Sequence, residues 1–251
     1  MRIKGFFITL VAIIFQASLS SYNNNKNVFP FLDGIPISTS GHYEYQNILL
    51  WFVPIVSLSF CFSGSIRDTY ISYEQLKLVR EHSRVKWVTS QFLIITVVLL
   101  IFTLSQIAIF YIYSLVSLHN LDINSVINKR FVMMTLMYYL TLLNLFSFQL
   151  FMELYYKSQI AQLNISVYII FSLILAKKLV QLNSPKVIHY FLIPNYSNGL
   201  RTGLSYYSQS GTAIIEPLLG LFIIIILQIS IVILSVLKFK KIDMLKSEGL
   251  Q

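Results

Sequence analysis

Long apolar runs alternate with polar stretches along the whole of this 251-residue chain. The runs are continuous and about 16–25 residues long. An α-helix of about 20 apolar residues crosses the hydrocarbon core of a bilayer. The pattern therefore predicts an all-α protein with six transmembrane helices in a single domain, 1–251. The expected spans are about 5–20, 47–65, 90–114, 130–155, 160–175 and 217–237.

The first apolar run has two interpretations. Arg2 and Lys4 precede it, and the small residues at 17–20 would suit a signal peptidase, so a cleaved signal peptide is one of them. An uncleaved first helix is the other. We favour the uncleaved helix because five further apolar runs of similar length follow it.

The composition excludes a water-soluble protein. Hydrophobic residues make up 56% of the chain and charged residues 12%, whereas soluble domains carry about 25% charged residues. The mean hydropathy is +0.69. A transmembrane β-barrel would instead show segments of about 10 residues with alternating polarity. The net charge of +9 fits the basic cytoplasmic loops of a membrane protein, so we expect no nucleic-acid partner.

The distribution of Lys and Arg sets the expected orientation, because cytoplasmic loops are enriched in both. With the N-terminus inside, twelve of the 19 Lys and Arg residues fall on the inner side and seven on the outer side. We therefore expect both termini in the cytoplasm. The basic pairs at 129–130 and 177–178 lie on the outer side, against this trend. The longest outer segment is then 177–214, ahead of the last span.

The most highly charged interruption, 67–89, follows the second apolar run. Within it Lys77, Arg80 and Arg84 recur three or four residues apart, which places them in one stripe on a helix. We expect one or two short helices at the inner membrane interface. Such a stripe suits either anionic lipid headgroups or a cytoplasmic protein that docks on it. The candidate contact residues are Glu74, Lys77, Arg80, Arg84, Lys86 and Trp87.

Polar residues inside or at the ends of the apolar runs are candidates for a translocation path or a gate. Asn144 and Gln149 are uncharged, and such residues commonly join helices by hydrogen bonds. Glu153 lies four residues before Lys157, a spacing that allows an ion pair on one helical face. Glu216 immediately precedes a proline, which is a common start signal for a helix. Each of these candidates therefore has a structural interpretation beside the functional one.

Catalytic and cofactor-binding motifs are missing from the sequence. It contains no HExxH zinc site, no GxSxG serine elbow and no GxxxxGK[ST] nucleotide loop. A single cysteine excludes an intramolecular disulfide, and no two of the four histidines have the spacing of metal ligands. We therefore expect neither enzyme activity nor a bound cofactor.

The layout resembles that of type-2 ATP-binding cassette (ABC) export permeases. It is most similar to small bacterial permeases associated with lantibiotic, bacteriocin and other peptide export or immunity. In these proteins the second span leads into a cytoplasmic coupling helix, and a basic stretch with a tryptophan leads to the third. The glycine that is frequent in that coupling helix is absent here. The positions that carry the resemblance are Tyr73, Glu74, Gln75, Leu76, Arg80, Ser83, Arg84, Lys86 and Trp87.

The resemblance implies that a separate cytoplasmic ABC ATPase docks on 67–89 and that this partner, not the present chain, uses ATP. It also implies a homo- or heterodimer of permease subunits, surrounded by membrane lipid, that exports a peptide or hydrophobic substrate across a bacterial cell membrane. Two other functions stay open on the sequence. One is an accessory or sensor membrane protein without transport activity, and the other is an intramembrane enzyme.

Overall fold

The computed structural model describes residues 3–22, 28–35, 45–66, 84–117, 128–182, 184–205 and 214–240. All regular structure in these ranges is helical, as the sequence predicts. The long helices are α1 (Ile3–Tyr22), α3 (Tyr45–Phe62), α4 (Arg84–Ser117), α5 (Lys129–Glu153), α6 (Ser158–Gln181) and α9 (Pro217–Lys240). The short ones are α2 (Pro30–Asp33), α7 (Lys186–His189) and α8 (Gly199–Thr202), together with a 3₁₀ helix at Ile193–Ser197.

Four of the long helices, α4, α5, α6 and α9, are long and apolar enough to cross a membrane. Helices α1 and α3 carry shorter apolar stretches, Phe7–Ser20 and Ile48–Phe62. The helical fold class is therefore confirmed, and so is a membrane-spanning length for four helices. The crossing of α1 and α3 stays a prediction.

Helix α4 begins earlier than the third predicted span. It starts at Arg84 rather than at about residue 90, so the last part of the expected loop 67–89 forms its first turns. The hydroxyl groups of Thr89 and Ser90 donate to the carbonyls of Val85 and Trp87 at 2.9 and 2.8 Å. These polar side chains are thus satisfied on the helix itself. The rest of the expected loop, 67–83, lies outside the described residues.

Helix α6 also extends past its predicted end, from about residue 175 to Gln181. Lys177 and Lys178, which we expected in the outer segment, are therefore part of the helix. A cation near a helix C-terminus is stabilised by the helix dipole, which favours this extension. The described part of the outer segment is compact and contains α7, the 3₁₀ helix and α8.

Local signals account for three further helix ends. Asn128 caps α5, because its side-chain oxygen accepts a hydrogen bond from the N–H of Phe131 at 3.0 Å. Helix α9 starts at Pro217, whose missing N–H is no loss at this position. Gly203 ends α8 with a left-handed φ of 69°, a conformation that favours glycine.

Helix α5 is the central element of the bundle. It packs against α3, α4, α6 and α9, and against the 3₁₀ helix. Most of its side chains from Asn144 to Glu153 are buried, and the rings of Phe62 and Phe146 meet with centroids 5.1 Å apart. Four of the other five long helices therefore pack directly on α5, whereas α1 packs on α3 and α4.

Contacts between helix termini define two ends of the bundle. At one end Gly5 in α1 lies against Cys61 in α3, Glu153 in α5 bonds Gly64, and Lys238 in α9 lies over the ring of Tyr155. We call this the Glu153 end; it holds the first turns of α1 and α4 and the last turns of α3, α5 and α9. The opposite end, with α2, α7, the 3₁₀ helix and α8, is the Arg201 end.

Candidate functional site

The carboxylate of Glu153 holds the point where the chain leaves α3. Its two oxygens accept hydrogen bonds from the backbone N–H groups of Gly64 and Ile66, at 2.9 and 3.2 Å. Gly64 has a φ of 82°, so the chain turns sharply there in a conformation that favours glycine. Because Glu153 is only 3% exposed, these charge-assisted bonds lie in a largely water-free setting.

A second pair of polar contacts lies one helical turn away on the same face of α5. The Ser59 hydroxyl donates to Oε1 of Gln149 at 2.8 Å, and Nε2 of Gln149 donates to the Ser59 carbonyl at 3.2 Å. Gln149 and Glu153 are four residues apart, so both face α3. We call Ser59, Gly64, Ile66, Gln149 and Glu153 the Glu153 clamp.

The clamp replaces the ion pair that the sequence suggested between Glu153 and Lys157. Helix α5 ends at Glu153, and Lys157 is an exposed residue that precedes the first turn of α6. The two residues therefore do not share one helical face. The chain turns at 154–157 before a second helix can begin.

The other flank of segment 67–83 is attached to α9. The rings of Trp87 and Phe239 stack with centroids 5.0 Å apart and an interplanar angle of 23°. Beside them Nζ of Lys238 lies 4.2 Å from the centroid of the Tyr155 ring, within range of a cation–π interaction. The start of α4 and the end of α9 are thus joined at the Glu153 end.

The structure locates the predicted docking residues only in part. Lys86 is exposed at the start of α4, and Trp87 is half-buried against α9. Arg84 is the first residue of α4, and its side chain is not described. Glu74, Lys77 and Arg80 lie outside the described residues.

Asn144 joins α5 to α9. Its Nδ2 donates to the carbonyl of Ile224 at 3.1 Å and to the carbonyl of Leu140 at 3.0 Å. One turn further on, Nε2 of Gln228 donates to the hydroxyl of Ser147 at 2.8 Å. The sequence had not singled out Gln228, although it is the most polar side chain in the middle of a strongly apolar helix.

A third polar contact joins α1, α4 and α5. Nε2 of Gln106 donates to Oε1 of Gln16 at 2.9 Å, and the Tyr138 hydroxyl donates to Oε1 of Gln106 at 3.0 Å. All three side chains are buried. The sequence alone does not show that these three side chains meet, because their shared position depends on how the helices pack.

The Arg201 end carries a separate buried polar cluster. The guanidinium of Arg201 donates from Nη1 to Oδ1 of Asn195, and Nδ2 of Asn195 donates to the carbonyl of His189 at 3.2 Å. Burial lowers the pKa of Arg201 to about 10. Burial lowers the pKa of His189 as well, and the charge of Arg201 adds to this effect.

Two carboxyl groups lie at the same end in different settings. Burial raises the pKa of Asp33 to about 6, partly opposed by a hydrogen bond with Ser205. Glu216 has an exposed side chain, and its backbone N–H donates to the hydroxyl of Tyr190 at 3.0 Å. As the sequence suggested, Glu216 immediately precedes the helix that starts at Pro217.

The four candidates for a translocation path do not converge. Gln149 and Glu153 face α3, Asn144 faces α9, and Glu216 is exposed at the opposite end from the clamp. Their contacts are those of residues that join helices, and a transport role for them stays a prediction. Among the described residues, no group of three or more His, Cys, Asp or Glu side chains could hold a metal ion.

These features define a helical protein with four helices that are long and apolar enough to cross a membrane. Buried polar contacts join its helices, and the Glu153 clamp lies at one end of the bundle. The chain belongs to the family described as a protein of unknown function, DUF2705, which its sequence matches over residues 9–245. No solved structure matches it.

Proposed function

We propose that this chain is the membrane-spanning permease subunit of an ABC transporter that exports a peptide or another hydrophobic substrate. The observation that carries the proposal is the attachment of both flanks of segment 67–83 to the bundle. One flank is held by Glu153 at Gly64 and Ile66, and the other by Trp87 at Phe239. A displacement of the segment would therefore be passed directly to α5 and α9.

The partner in this proposal is a cytoplasmic ABC ATPase that docks on 67–83 and the adjacent start of α4. The stretch 67–89 carries five Lys and Arg residues against three Asp and Glu residues, and Lys86 within it is exposed, so the docking surface is basic. ATP binding and hydrolysis occur in the partner, and the present chain converts its movement into a rearrangement of helices. A ligand can shift such an equilibrium only by its difference in affinity between the two states.

The same proposal places six spans in the membrane, with both ends of the chain on the cytoplasmic side. Helices α1 and α3 have 20 and 18 residues. About 20 residues are needed to cross the hydrocarbon core of a bilayer. The start of α1 and the end of α9 both lie at the Glu153 end, which supports an even number of crossings. The host membrane in this proposal is a bacterial cell membrane.

A second permease subunit, identical or not, completes the proposed transporter. Helix α9 is the least buried of the four longest apolar helices, with 22% of its apolar window buried. A path for a substrate then forms between two subunits. The substrate class follows from the apolar character of the helices, which offer few charges for binding a hydrophilic solute.

Charge reversal in the basic segment tests the docking surface. We expect the double change Arg80→Glu and Arg84→Glu to abolish co-purification with an ABC ATPase expressed from the same gene neighbourhood, because two attractive contacts become repulsive. The matched control reverses the exposed pair Lys129 and Arg130 at the Arg201 end, which should leave co-purification intact. Membrane insertion of both variants is checked by fractionation. Unchanged co-purification of the first variant would contradict the docking assignment.

A further inference from the structure

Arg201 places a buried positive charge at the Arg201 end of the bundle. The side chain is 3% exposed, and its guanidinium donates to Oδ1 of Asn195. Its Nε is buried and has no hydrogen-bond partner among the described residues. Since a pKa of about 10 lies well above neutral pH, the guanidinium carries its full charge. A neutral amide oxygen is a weak counterpart for such a charge.

The carboxyl groups described at this end do not neutralise Arg201. Asp33 forms its hydrogen bond with Ser205, and its pKa is raised to about 6. A guanidinium in contact would lower the pKa of a carboxyl group instead. Glu216 has an exposed side chain, and its described contact is made by its backbone. The buried cation is therefore left to pair with an anion from outside the described chain.

His189 adds a second unsatisfied polar atom to the same cluster. The side chain is 2% exposed, and its Nδ1 is buried without a hydrogen-bond partner in the described part of the chain. Asn195 ties the two residues together, because it bonds the His189 carbonyl and the Arg201 guanidinium. In the tautomer with a proton on Nδ1, the cluster offers a second donor beside the guanidinium.

The cluster lies beside long apolar helices and exposed apolar side chains. The 3₁₀ helix packs against α5, α6 and α9, helices that could cross a membrane. In the segment that contains His189, Val187 and Phe191 are 67% and 75% exposed, beside the exposed Lys186. Exposed apolar side chains next to a lysine are typical of a segment that lies among lipid headgroups. The anion most abundant at that depth is a phosphate.

We propose that Arg201, with His189 and Asn195, binds the phosphate of an anionic phospholipid in the leaflet at the Arg201 end. The planar guanidinium suits a phosphate, which it can contact through two parallel N–H groups. The acyl chains would lie against Val187 and Phe191. Both unsatisfied nitrogens are shielded from water, so the outer segment must yield locally as the headgroup enters. This site goes beyond the permease function and does not depend on it.

Thermal unfolding of the purified, delipidated full chain tests the site through its intrinsic tryptophan fluorescence. The probes are phosphatidylglycerol, diacylglycerol with the same acyl chains, and inorganic phosphate, each added to the detergent micelles. We expect phosphatidylglycerol to raise the Tm by at least about 3 °C, because a ligand of the folded state stabilises it. Diacylglycerol and inorganic phosphate should give less than a third of that shift. An equal shift with diacylglycerol would show that only the acyl chains bind. An equal shift with inorganic phosphate would overturn the proposal that the bound phosphate belongs to a lipid.

Variants assign the shift to Arg201. We expect Arg201→Gln to lose the phosphatidylglycerol shift and the matched control, Lys186→Gln, to keep it, because Lys186 is an exposed cation on the same segment. If Arg201→Gln does not fold, Arg201→Lys retains the charge but lacks Nε, and a clearly smaller shift is expected. A full shift in Arg201→Gln overturns the proposal. Where Arg201→Lys is used in its place, a full shift in that variant does so too. Equal losses in the Arg201 and Lys186 variants would do so too, because they would indicate general charge attraction.

Discussion

A single carboxylate determines how α3 ends. Beyond the last turn of a helix, backbone N–H groups must find new partners or lose hydrogen bonds. Glu153 supplies both oxygens to Gly64 and Ile66, from a different helix. The contact therefore connects the start of segment 67–83 to α5 more firmly than van der Waals packing alone.

Removing this carboxylate should destabilise the fold. We expect Glu153→Ala to lower the free energy of unfolding by about 2–3 kcal/mol, because two buried N–H groups lose a charged acceptor. Glu153→Gln, which keeps one acceptor oxygen, should cost less. The measurement is thermal or denaturant unfolding in detergent. Glu216→Ala, at an exposed carboxylate, is the control and should change stability little. Equal stability of Glu153→Ala and the control would contradict the clamp.

The residues of these contacts were only half predictable from the sequence. Asn144, Gln149 and Glu153 stand out as polar side chains in or beside apolar runs. Their partners are mostly backbone groups, such as the carbonyl of Ile224 and the N–H of Gly64, which leave no mark on the sequence. Only the packing of the helices brings these groups together.

At the scale of helices, a glycine sets the distance between α1 and α3. A Cβ atom on Gly5 would lie 2.8 Å from Sγ of Cys61 and 3.2 Å from its Cα. Thr9, one turn along α1, places its hydroxyl 3.2 Å from the same sulfur. Small residues allow helices in membranes to approach closely, and Gly5 has that role here.

A larger residue at this position should force the two helices apart. We expect Gly5→Val to cost about 1–3 kcal/mol and to speed the reaction of Cys61 with N-ethylmaleimide about tenfold. Cys61 is the single cysteine of the chain and is 2% exposed, so labelling reports on this contact alone. Val11→Leu, on the exposed face of α1, is the control. Unchanged labelling in Gly5→Val would mean that α1 does not pack on α3 in this way.

The element boundaries show where hydropathy stops being informative. We predicted the start of α4 too far along the chain. The helix begins at Arg84, and its first residues are polar, so hydropathy does not mark them as part of a span. Trp87 packs on Phe239, and this tertiary contact is not visible in a hydropathy profile. No individual helices were predicted within the outer segment. Its compact fold depends on Asn198, whose side chain caps α8 and also bonds the Ile35 carbonyl.

At the scale of the whole molecule, the two ends of the bundle differ in chemistry. The Glu153 end receives both flanks of a charged segment, whereas the Arg201 end is closed by short helices around a buried arginine. In the proposed orientation, one end serves a cytoplasmic partner and the other meets the outer leaflet. The two proposals thus concern opposite surfaces of one protein.

Cysteine accessibility tests this orientation. In a Cys61→Ala background, we expect Lys129→Cys and Lys186→Cys to react with a membrane-impermeant maleimide in intact cells. Lys86→Cys and Lys157→Cys should react only after the membrane is permeabilised. All four positions are exposed, so differences in labelling report on the side of the membrane rather than on burial. Labelling of Lys86→Cys in intact cells would contradict the proposed topology.

Helix α4 is longer than the hydrocarbon core of a bilayer is thick. Its 34 residues correspond to about 50 Å, whereas the hydrocarbon core of a bilayer measures about 30 Å. A helix of this length that crosses the core upright extends beyond it by about 20 Å, shared between its two ends. Such a helix acts as a lever arm: a small rotation imposed at Arg84 displaces its far end near Ser117 without any change in its internal hydrogen bonds. Movement at one surface of the protein can thereby reach the other through a single continuous helix.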